Sequence, residues 1–261
     1  MLTWINAGIL GAIEGLTEFL PVSSTAHLLI VSKVLGISES VNSKTFIIAV
    51  QLGAILAIIF YYRKELPQLI RLWKLVLLAF IPAALIGFFF YTIIKNVLFE
   101  SFFVMATGLI VGGIIMIIVD KKIKHTTADV DPVLSLRAMK PVHAFVIGLF
   151  QALAVIPGVS RSAATIISGR FLGYSREAVT LFSFVLGSVT LGAAVAYDIY
   201  KSGTVFTIGT TPTLLIGFII AFVAAYISID FMIRLVKRVG FAPFGWYRIV
   251  VGILFAAFLL M

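Results

Sequence analysis

The sequence predicts an all-α integral membrane protein with six transmembrane helices and two re-entrant helix pairs, arranged as two inverted-topology repeats. Three observations support this prediction. Hydrophobic residues make up 61% of the 261 residues and charged residues only 12%, and the apolar residues fall in long runs. Two of these runs are interrupted by a proline and a polar cluster. Lysine and arginine gather in alternate connections between the runs.

Six uninterrupted runs are long enough to cross a hydrocarbon core about 30 Å thick, at about 1.5 Å per residue. The predicted spans are residues 45–62, 75–94, 101–119, 176–199, 212–230 and 246–261. Two further stretches, residues 1–36 and 142–175, are broken near their centres. In lipid, such a break is tolerated only if it is buried in protein or lines a wet cavity. These two stretches are therefore predicted to be the re-entrant helix pairs.

Lysine and arginine indicate which connections are cytoplasmic. They are numerous around residues 63–74, 121–140 and 234–238 and scarce in the connections between, so the first set is predicted to lie inside the cell. Three spans then follow each helix pair, and the two halves have opposite topology. Because this pattern also explains the net charge of +9, no nucleic-acid partner is expected.

The chain is expected to form a single membrane domain over residues 1–261. Repeat one covers about 1–120, a cytoplasmic loop about 120–140, and repeat two about 141–261. The segments GAIEGLTEFLPVSST, from Gly11, and GLFQALAVIPGVSRS, from Gly148, match with one residue of slippage. Inverted repeats commonly place their broken helices and binding site at the pseudo-symmetry interface. The two polar breaks are therefore expected to meet.

Two acidic residues precede the first break. Glu14 and Glu18 are four residues apart, so they share one face of a helix. An ionised group at the centre of a bilayer costs roughly 2.5–3.5 kcal/mol, and two like charges also repel each other. A divalent cation, Arg161, or protonation of one carboxyl would offset this cost, and the spacing alone leaves these three explanations open.

Hydroxyl side chains and a histidine follow the first break. Pro21 is predicted to end the helix. The next helix begins with three hydroxyl residues, Ser23, Ser24 and Thr25. Free N–H groups at a helix start attract anions. His27 comes three residues after Ser24, so a helix beginning near Ser23 would turn both side chains to one side. This spacing predicts a nucleophile and base pair, with a structural histidine as the alternative.

The second break reads PGVSRSAAT, from Pro157 to Thr165. Arg161 places a permanently charged fork of N–H donors beside a helix start, a combination that suits a phosphate group. The polar residues predicted to join it are Ser160, Ser162, Thr165 and Gln151. Gln151 matches Glu14 in the repeat alignment, and a helix-packing amide is its alternative role. Arg170 and Arg176 are interpreted as cytoplasmic-end charges under the positive-inside rule.

Two motifs occur in order along this hydrophobic chain: E-x-x-x-E with P-V-S-S-T-x-H, and then P-G-x-S-R-S. In both, and over its whole length, the sequence resembles the undecaprenyl-diphosphatase (bacitracin-resistance) family of bacterial membranes. The resemblance implies hydrolysis of undecaprenyl diphosphate to the monophosphate lipid carrier and inorganic phosphate, for cell-wall synthesis. It also implies interlocked inverted repeats, a divalent metal that is usually magnesium or calcium, and an active site on the outer side of the inner membrane.

The family's motifs fall on defined positions of this chain. Its acidic motif falls on Glu14 and Glu18, the implied metal ligands, and its hydroxyl and imidazole fall on Ser24 and His27. Its arginine motif falls on Ser160, Arg161 and Ser162, with Thr165 just beyond. The resulting catalytic set is Ser24, His27, Arg161 and Glu18, and the phosphate-binding set is Ser23, Thr25, Ser160, Arg161, Ser162, Thr165 and Gln151. The chain departs from the family at Ala163, where glycine is usual, and we expect activity to survive this change.

The resemblance leaves one mechanistic and one functional alternative. A metal-activated water could attack in place of Ser24, with His27 as base. A lipid flippase or transporter without hydrolytic activity would use the same inverted repeats and broken helices. The expected partners are a polyprenyl diphosphate lipid and membrane lipids, and a homodimer is left open.

Overall fold

The computed structural model describes residues 3–37, 41–98, 101–123, 131–202 and 211–259, and these residues form helices and connections without a β-strand. Their α-helices are α1 (Trp4–Thr17), α2 (Ser24–Val34), α3 (Val41–Tyr61), α4 (Leu66–Ile70), α5 (Trp73–Phe89), α6 (Tyr91–Ile93), α7 (Phe102–Lys122), α8 (Pro132–Arg137), α9 (Pro141–Ala152), α10 (Arg161–Phe171), α11 (Arg176–Ser202), α12 (Thr211–Val239) and α13 (Ala242–Leu259). A π-helical turn, Ile94–Leu98, follows α6, and a 3-10 turn, Leu153–Val155, follows α9.

Each of the six predicted spans coincides with a helix: α3, α5, α7, α11, α12 and α13. By length and composition, α7, α11 and α12 can cross a membrane, whereas α5, α13 and residues 49–61 of α3 are shorter apolar helices. The chain is therefore an all-α, multi-pass membrane protein, as predicted. The exact number of six spans stays a prediction.

Both predicted breaks are present, between α1 and α2 and between α9 and α10. The residue before the second helix of each pair has a left-handed backbone, with φ of 73° at Ser23 and 70° at Ser160. This conformation costs a residue other than glycine on the order of 1–3 kcal/mol and is found mainly where the surrounding structure enforces it, often at functional sites. Each break thus contains one strained serine, at the residue before its second helix.

Close helix crossings hold the two broken pairs. Helix α1 packs along α12, and α9 packs along α5. At the first crossing Gly11 faces the main chain of Gly217, and at the second Gly148 faces that of Ala79; a Cβ at either glycine would overlap those atoms. Between membrane helices there is no strong hydrophobic attraction, so close packing at small residues supplies much of the association.

Asp120, near the end of α7, joins two further helices. Its Oδ1 accepts a hydrogen bond from Arg176 Nη2 at 2.6 Å, at the start of α11. Its Oδ2 accepts from the backbone N–H groups of Phe241 and Ala242 at 2.9 and 3.0 Å, and so caps α13. One carboxylate therefore fixes the ends of three helices.

Arg170 is likewise buried, with 2% of its surface exposed, and its Nη1 donates to the Tyr174 carbonyl at 2.6 Å. The interpretation of Arg170 and Arg176 as charges that serve membrane orientation alone is therefore incomplete. The positive-inside rule counts charges in connections and ignores their acceptors. Here the acceptors make both arginines part of the packed structure.

Candidate active site

The two breaks line one cavity with a volume of about 180 Å³. The polar residues on its wall are Glu18, Ser23, Ser24, Thr25, Gln51, Gln151, Ser160, Arg161 and Thr190. The expectation that the two polar breaks meet is therefore confirmed. Helices α3, α5 and α11 complete the wall through Gln51, Ala83 and Thr190.

Glu18 connects the two breaks. Its Oε1 accepts a hydrogen bond from Arg161 Nη2 at 2.8 Å, across 143 residues of sequence. Its Oε2 accepts one from the Ser24 hydroxyl. The side chains of Arg161 and Glu18 are 11% and 6% exposed, so the pair is largely desolvated. The sequence left a cation, Arg161 and protonation as explanations for the buried acidic charge. In the structure Arg161 forms an ion pair with Glu18.

The guanidinium of Arg161 is held against α11. Its Nη1 donates to the Ser183 carbonyl at 2.8 Å. A Cβ on Gly187, one turn further along α11, would overlap the guanidinium in this position, so the glycine leaves room for it. The arginine fork is therefore oriented toward the cavity before any ligand arrives.

Glu14 lies one turn before Glu18 and is completely buried. Neither of its carboxylate oxygens has a hydrogen-bond partner among the described residues. Buried carboxylates without a donor are costly, and oxygen pairs of this kind are the ligands that magnesium and calcium take. The described residues contain no group of three or more His, Cys, Asp or Glu that could hold a metal. Carboxylates are ligands that magnesium takes, with phosphate oxygens and water completing its shell. Glu14 and Glu18 as metal ligands stay a prediction, and of the two only Glu18 lines the cavity.

His27 faces away from Ser24. Its Nδ1 hydrogen-bonds the Ser23 carbonyl at 2.8 Å, and its Nε2 hydrogen-bonds the Tyr247 hydroxyl at 2.8 Å. The Ser24 hydroxyl donates to Glu18 instead. The predicted hydroxyl and imidazole pair is therefore not hydrogen-bonded in this structure, because α13 supplies His27 with another partner. Its role as a base stays a prediction that requires the ring to turn.

Two of the predicted phosphate-binding hydroxyls lie behind the cavity wall. Ser162 Oγ donates to the Leu20 carbonyl of the first break at 2.9 Å. Thr165 Oγ1 donates to Ser183 Oγ at 2.7 Å. Both residues are 1% exposed, and neither lines the cavity. They tie α10 to the first break and to α11.

The sequence matches known proteins over nearly its whole length. The family model described as bacitracin resistance protein BacA matches residues 7–254, which include both breaks. This chain belongs to the BacA family. Among curated relatives, the undecaprenyl-diphosphatase of Persephonella marina is 46% identical over 98% of this chain and 99% of its own. Those of Sulfurihydrogenibium sp. and Aquifex aeolicus are each 41% identical, over 97% and 100% of this chain and 98% and 100% of their own.

The structure places the Ala163 side chain in the core, and the expectation that activity survives this departure from the family stays a prediction. The Ala163 side chain is 1% exposed and packs in a hydrophobic cluster with Phe19 and Phe184. Its backbone N–H donates to Ser160 Oγ at 3.3 Å, as part of the α10 cap. The additional methyl group therefore points into the core, away from the cavity.

The amide nitrogen of Gln151 can donate hydrogen bonds to a ligand in the cavity. Its Oε1 accepts a hydrogen bond from Thr190 Oγ1 at 3.3 Å. Its Nε2 is buried without a partner among the described residues. Because Gln151 lines the cavity, this N–H₂ group suits an anionic oxygen.

Sequence reasoning missed Gln51, Thr190, Tyr247 and Arg248. A lone glutamine or threonine in a predicted span gives no local signal of a cavity. Tyr247 and Arg248 follow Trp246 at the start of an apolar run, a pattern typical of an interfacial anchor. The complete burial of Arg248 depends on its tertiary neighbours, so this local pattern does not indicate it.

Proposed function

We propose that this chain hydrolyses undecaprenyl diphosphate to undecaprenyl phosphate and inorganic phosphate, and so recycles the lipid carrier for cell-wall synthesis. Its relatives at 41–46% identity over nearly the whole chain carry the name undecaprenyl-diphosphatase. The observation that carries the proposal is the meeting of Arg161, Glu18 and Ser24 at one cavity. An anion-binding fork, a carboxylate and a hydroxyl are the groups that phosphoryl transfer needs.

The terminal phosphate binds where Arg161 faces the cavity. Arg161 Nε has no partner among the described residues, and its Nη2 can exchange Glu18 for a phosphate oxygen. Gln151 Nε2 donates to a second oxygen. The first N–H groups of α2 and α10 add positive ends of helix dipoles beside the same cavity.

The attack forms a bond to the terminal phosphorus and breaks the anhydride bond, so that undecaprenyl phosphate leaves. Ser24 is the proposed nucleophile: its oxygen becomes bonded to the phosphorus, and its proton passes to Glu18, the acceptor already hydrogen-bonded to the hydroxyl. Water then attacks the phosphoserine, the bond from Ser24 to phosphorus breaks, inorganic phosphate leaves, and the Ser24 oxygen regains a proton. His27 holds the Ser23 carbonyl next to Ser24. His27 as base, or direct attack by water with Ser24 as a hydrogen-bonding group, are the other routes.

A divalent cation, magnesium or calcium, would be held by Glu14 and Glu18. When bound it would neutralise charge on the diphosphate oxygens. The unpartnered oxygens of Glu14 support this assignment. Exchange of Arg161 from Glu18 to phosphate would free the second carboxylate for the cation.

The chain is further proposed to contain two inverted repeats, one membrane domain and a cavity open to the outer side of the inner membrane. The repeats are supported by the paired contacts of α1 with α12 and of α9 with α5. They are also supported by the serines at positive φ, which lie equally far along the chain from Gly11 and Gly148. The orientation rests on the lysine and arginine asymmetry, and the prenyl tail would lie between helices.

Phosphate release by the purified protein tests this function. We expect release from undecaprenyl diphosphate in detergent, without any gradient, and loss of release on chelation that magnesium or calcium restores. A shorter prenyl diphosphate series would define the tail requirement. No release under these conditions, together with lipid transfer across reconstituted vesicles, would instead favour the flippase.

A further inference from the structure

Arg248, on α13, has no part in the proposed reaction although it is charged and fully buried. It does not line the cavity, and no carboxylate of the described residues lies within ion-pair distance of it. A buried charge without a counter-ion is costly, and in membrane proteins such residues mark functional positions. Its burial therefore needs a specific cause.

The guanidinium of Arg248 donates to backbone carbonyls in three segments. Its acceptors are Pro21 at 3.2 Å, Gly158 at 2.8 Å, Val159 at 3.0 Å, Gly108 at 3.0 Å and Leu109 at 3.4 Å. Pro21 belongs to the first break, Gly158 and Val159 to the second, and the last two residues to α7. One side chain thus contacts both breaks and a long helix behind them.

The contacts of Arg248 with Pro21, Gly158 and Val159 follow from what a helix break requires. Carbonyls at a break have lost their intrahelical donors, and in an apolar environment they must find others. Pro21 and Gly158 each lie two residues before a serine with positive φ, so Arg248 binds the two breaks at matching points. A planar guanidinium with five N–H groups in a rigid fork can hold both carbonyls at a fixed separation.

We infer that Arg248 is a positioning residue, which sets the distance between the two breaks so that Ser24 of one and Arg161 of the other face the same cavity. It acts through the backbone and touches no reacting group. Because a displacement of about 1 Å in a catalytic group can lower the rate on the order of 10²-fold, loss of this contact should appear in turnover.

Three variants test this inference, which uses the proposed hydrolysis as one readout. Arg248→Lys keeps the charge but loses the fork, and Arg248→Met removes both. Gly112→Ala leaves Arg248 in the sequence but displaces its guanidinium, because the added Cβ would overlap Nη2. Arg234→Lys is the control, because that arginine is 79% exposed and pairs only at the surface with Asp230.

We expect Arg248→Lys and Gly112→Ala to lower kcat on the order of tenfold or more, with KM changed by less than about threefold. Hydrogen exchange should accelerate in peptides 18–24 and 155–163 and not in the centre of α12, whose described residues accept no hydrogen bond from Arg248. Should Arg248→Met fail to fold, the other two variants decide. Wild-type kcat and unchanged exchange in both would overturn the inference, whereas an inactive wild type would overturn the proposed function and leave the exchange result to decide on Arg248.

Discussion

At the residue scale, the carboxylates Glu14 and Glu18 differ in their surroundings although they are one helical turn apart. Both oxygens of Glu18 are hydrogen-bonded, to Arg161 and Ser24, while those of Glu14 have no partner among the described residues. For Glu14, a bound cation and protonation of the carboxyl therefore stay the two predicted explanations of its burial. Glu18 is the residue on which the organisation of the cavity depends.

Glutamine substitutions at Glu14 and Glu18 should distinguish metal binding from the contact with Arg161. We expect Glu14→Gln and Glu18→Gln each to lower turnover at least about tenfold, because each removes an anionic ligand. Glu14→Gln should be partly restored by high magnesium, whereas Glu18→Gln should not, since it also loses the contact with Arg161. Kinetics over a magnesium titration measure this. Near-normal rates in both variants at ordinary magnesium would exclude the metal site.

The Arg161→Lys variant tests whether the reaction needs the planar guanidinium and not only its charge. We expect Arg161→Lys to insert and fold normally yet lose on the order of 10²-fold in kcat, because lysine keeps the charge and loses bidentate contact with phosphate. The measurement is kcat and KM of purified protein, since a residue that only held substrate would raise KM alone. Arg234→Lys is the matched control, because Arg234 is exposed. Arg170 would be unsuitable as a control, because it is buried and hydrogen-bonded. Wild-type kcat in Arg161→Lys would remove this residue from the chemistry.

At the scale of helices, polar side chains at helix ends hold the bundle together away from the cavity. Asp120 caps α13 and pairs with Arg176 at the start of α11. Both partners of that pair are largely buried, with side-chain exposures of 9% and 6%. Removing one partner of a buried pair leaves the other without compensation.

Asp120→Asn should therefore destabilise the fold by roughly 3 kcal/mol or more, since Arg176 would remain buried without its counter-ion. We expect a lower unfolding temperature in detergent, followed by circular dichroism, with kcat per folded molecule unchanged because Asp120 lies outside the cavity. Asp131→Asn is a useful comparison, because Asp131 caps α8 and forms no ion pair with the other described residues. Equal stability of Asp120→Asn and the wild type would show that the pair contributes nothing.

At the scale of the whole molecule, the proposed topology makes a prediction about accessibility. The chain has no cysteine, so single cysteines can be introduced without background. Positions 95 and 201 should react with an impermeant thiol reagent from outside intact cells, and position 125, which lies outside the described residues, should not. Labelling of position 125 from outside would reverse the orientation.

The sequence by itself was sufficient for the features that depend on local composition. Long apolar runs predicted the helices, and a proline followed by hydroxyl residues predicted both breaks, because a broken helix in lipid requires local polar groups. Glu18, Ser24 and Arg161 stood out for the same reason, as polar residues are costly in such surroundings.

Only the tertiary structure decided which of these residues face one another. The Arg161 contact with Glu18 spans 143 residues, and the turn of His27 toward Tyr247 spans 220. Local spacing could not reveal either contact, nor the placement of Ser162 and Thr165 behind the wall. Which face of a helix meets the cavity is set by its neighbours, through close crossings such as that of α1 and α12. For the same reason nothing in the local sequence indicated Arg248, because its burial between the two breaks depends on contacts with residues far from it in the chain.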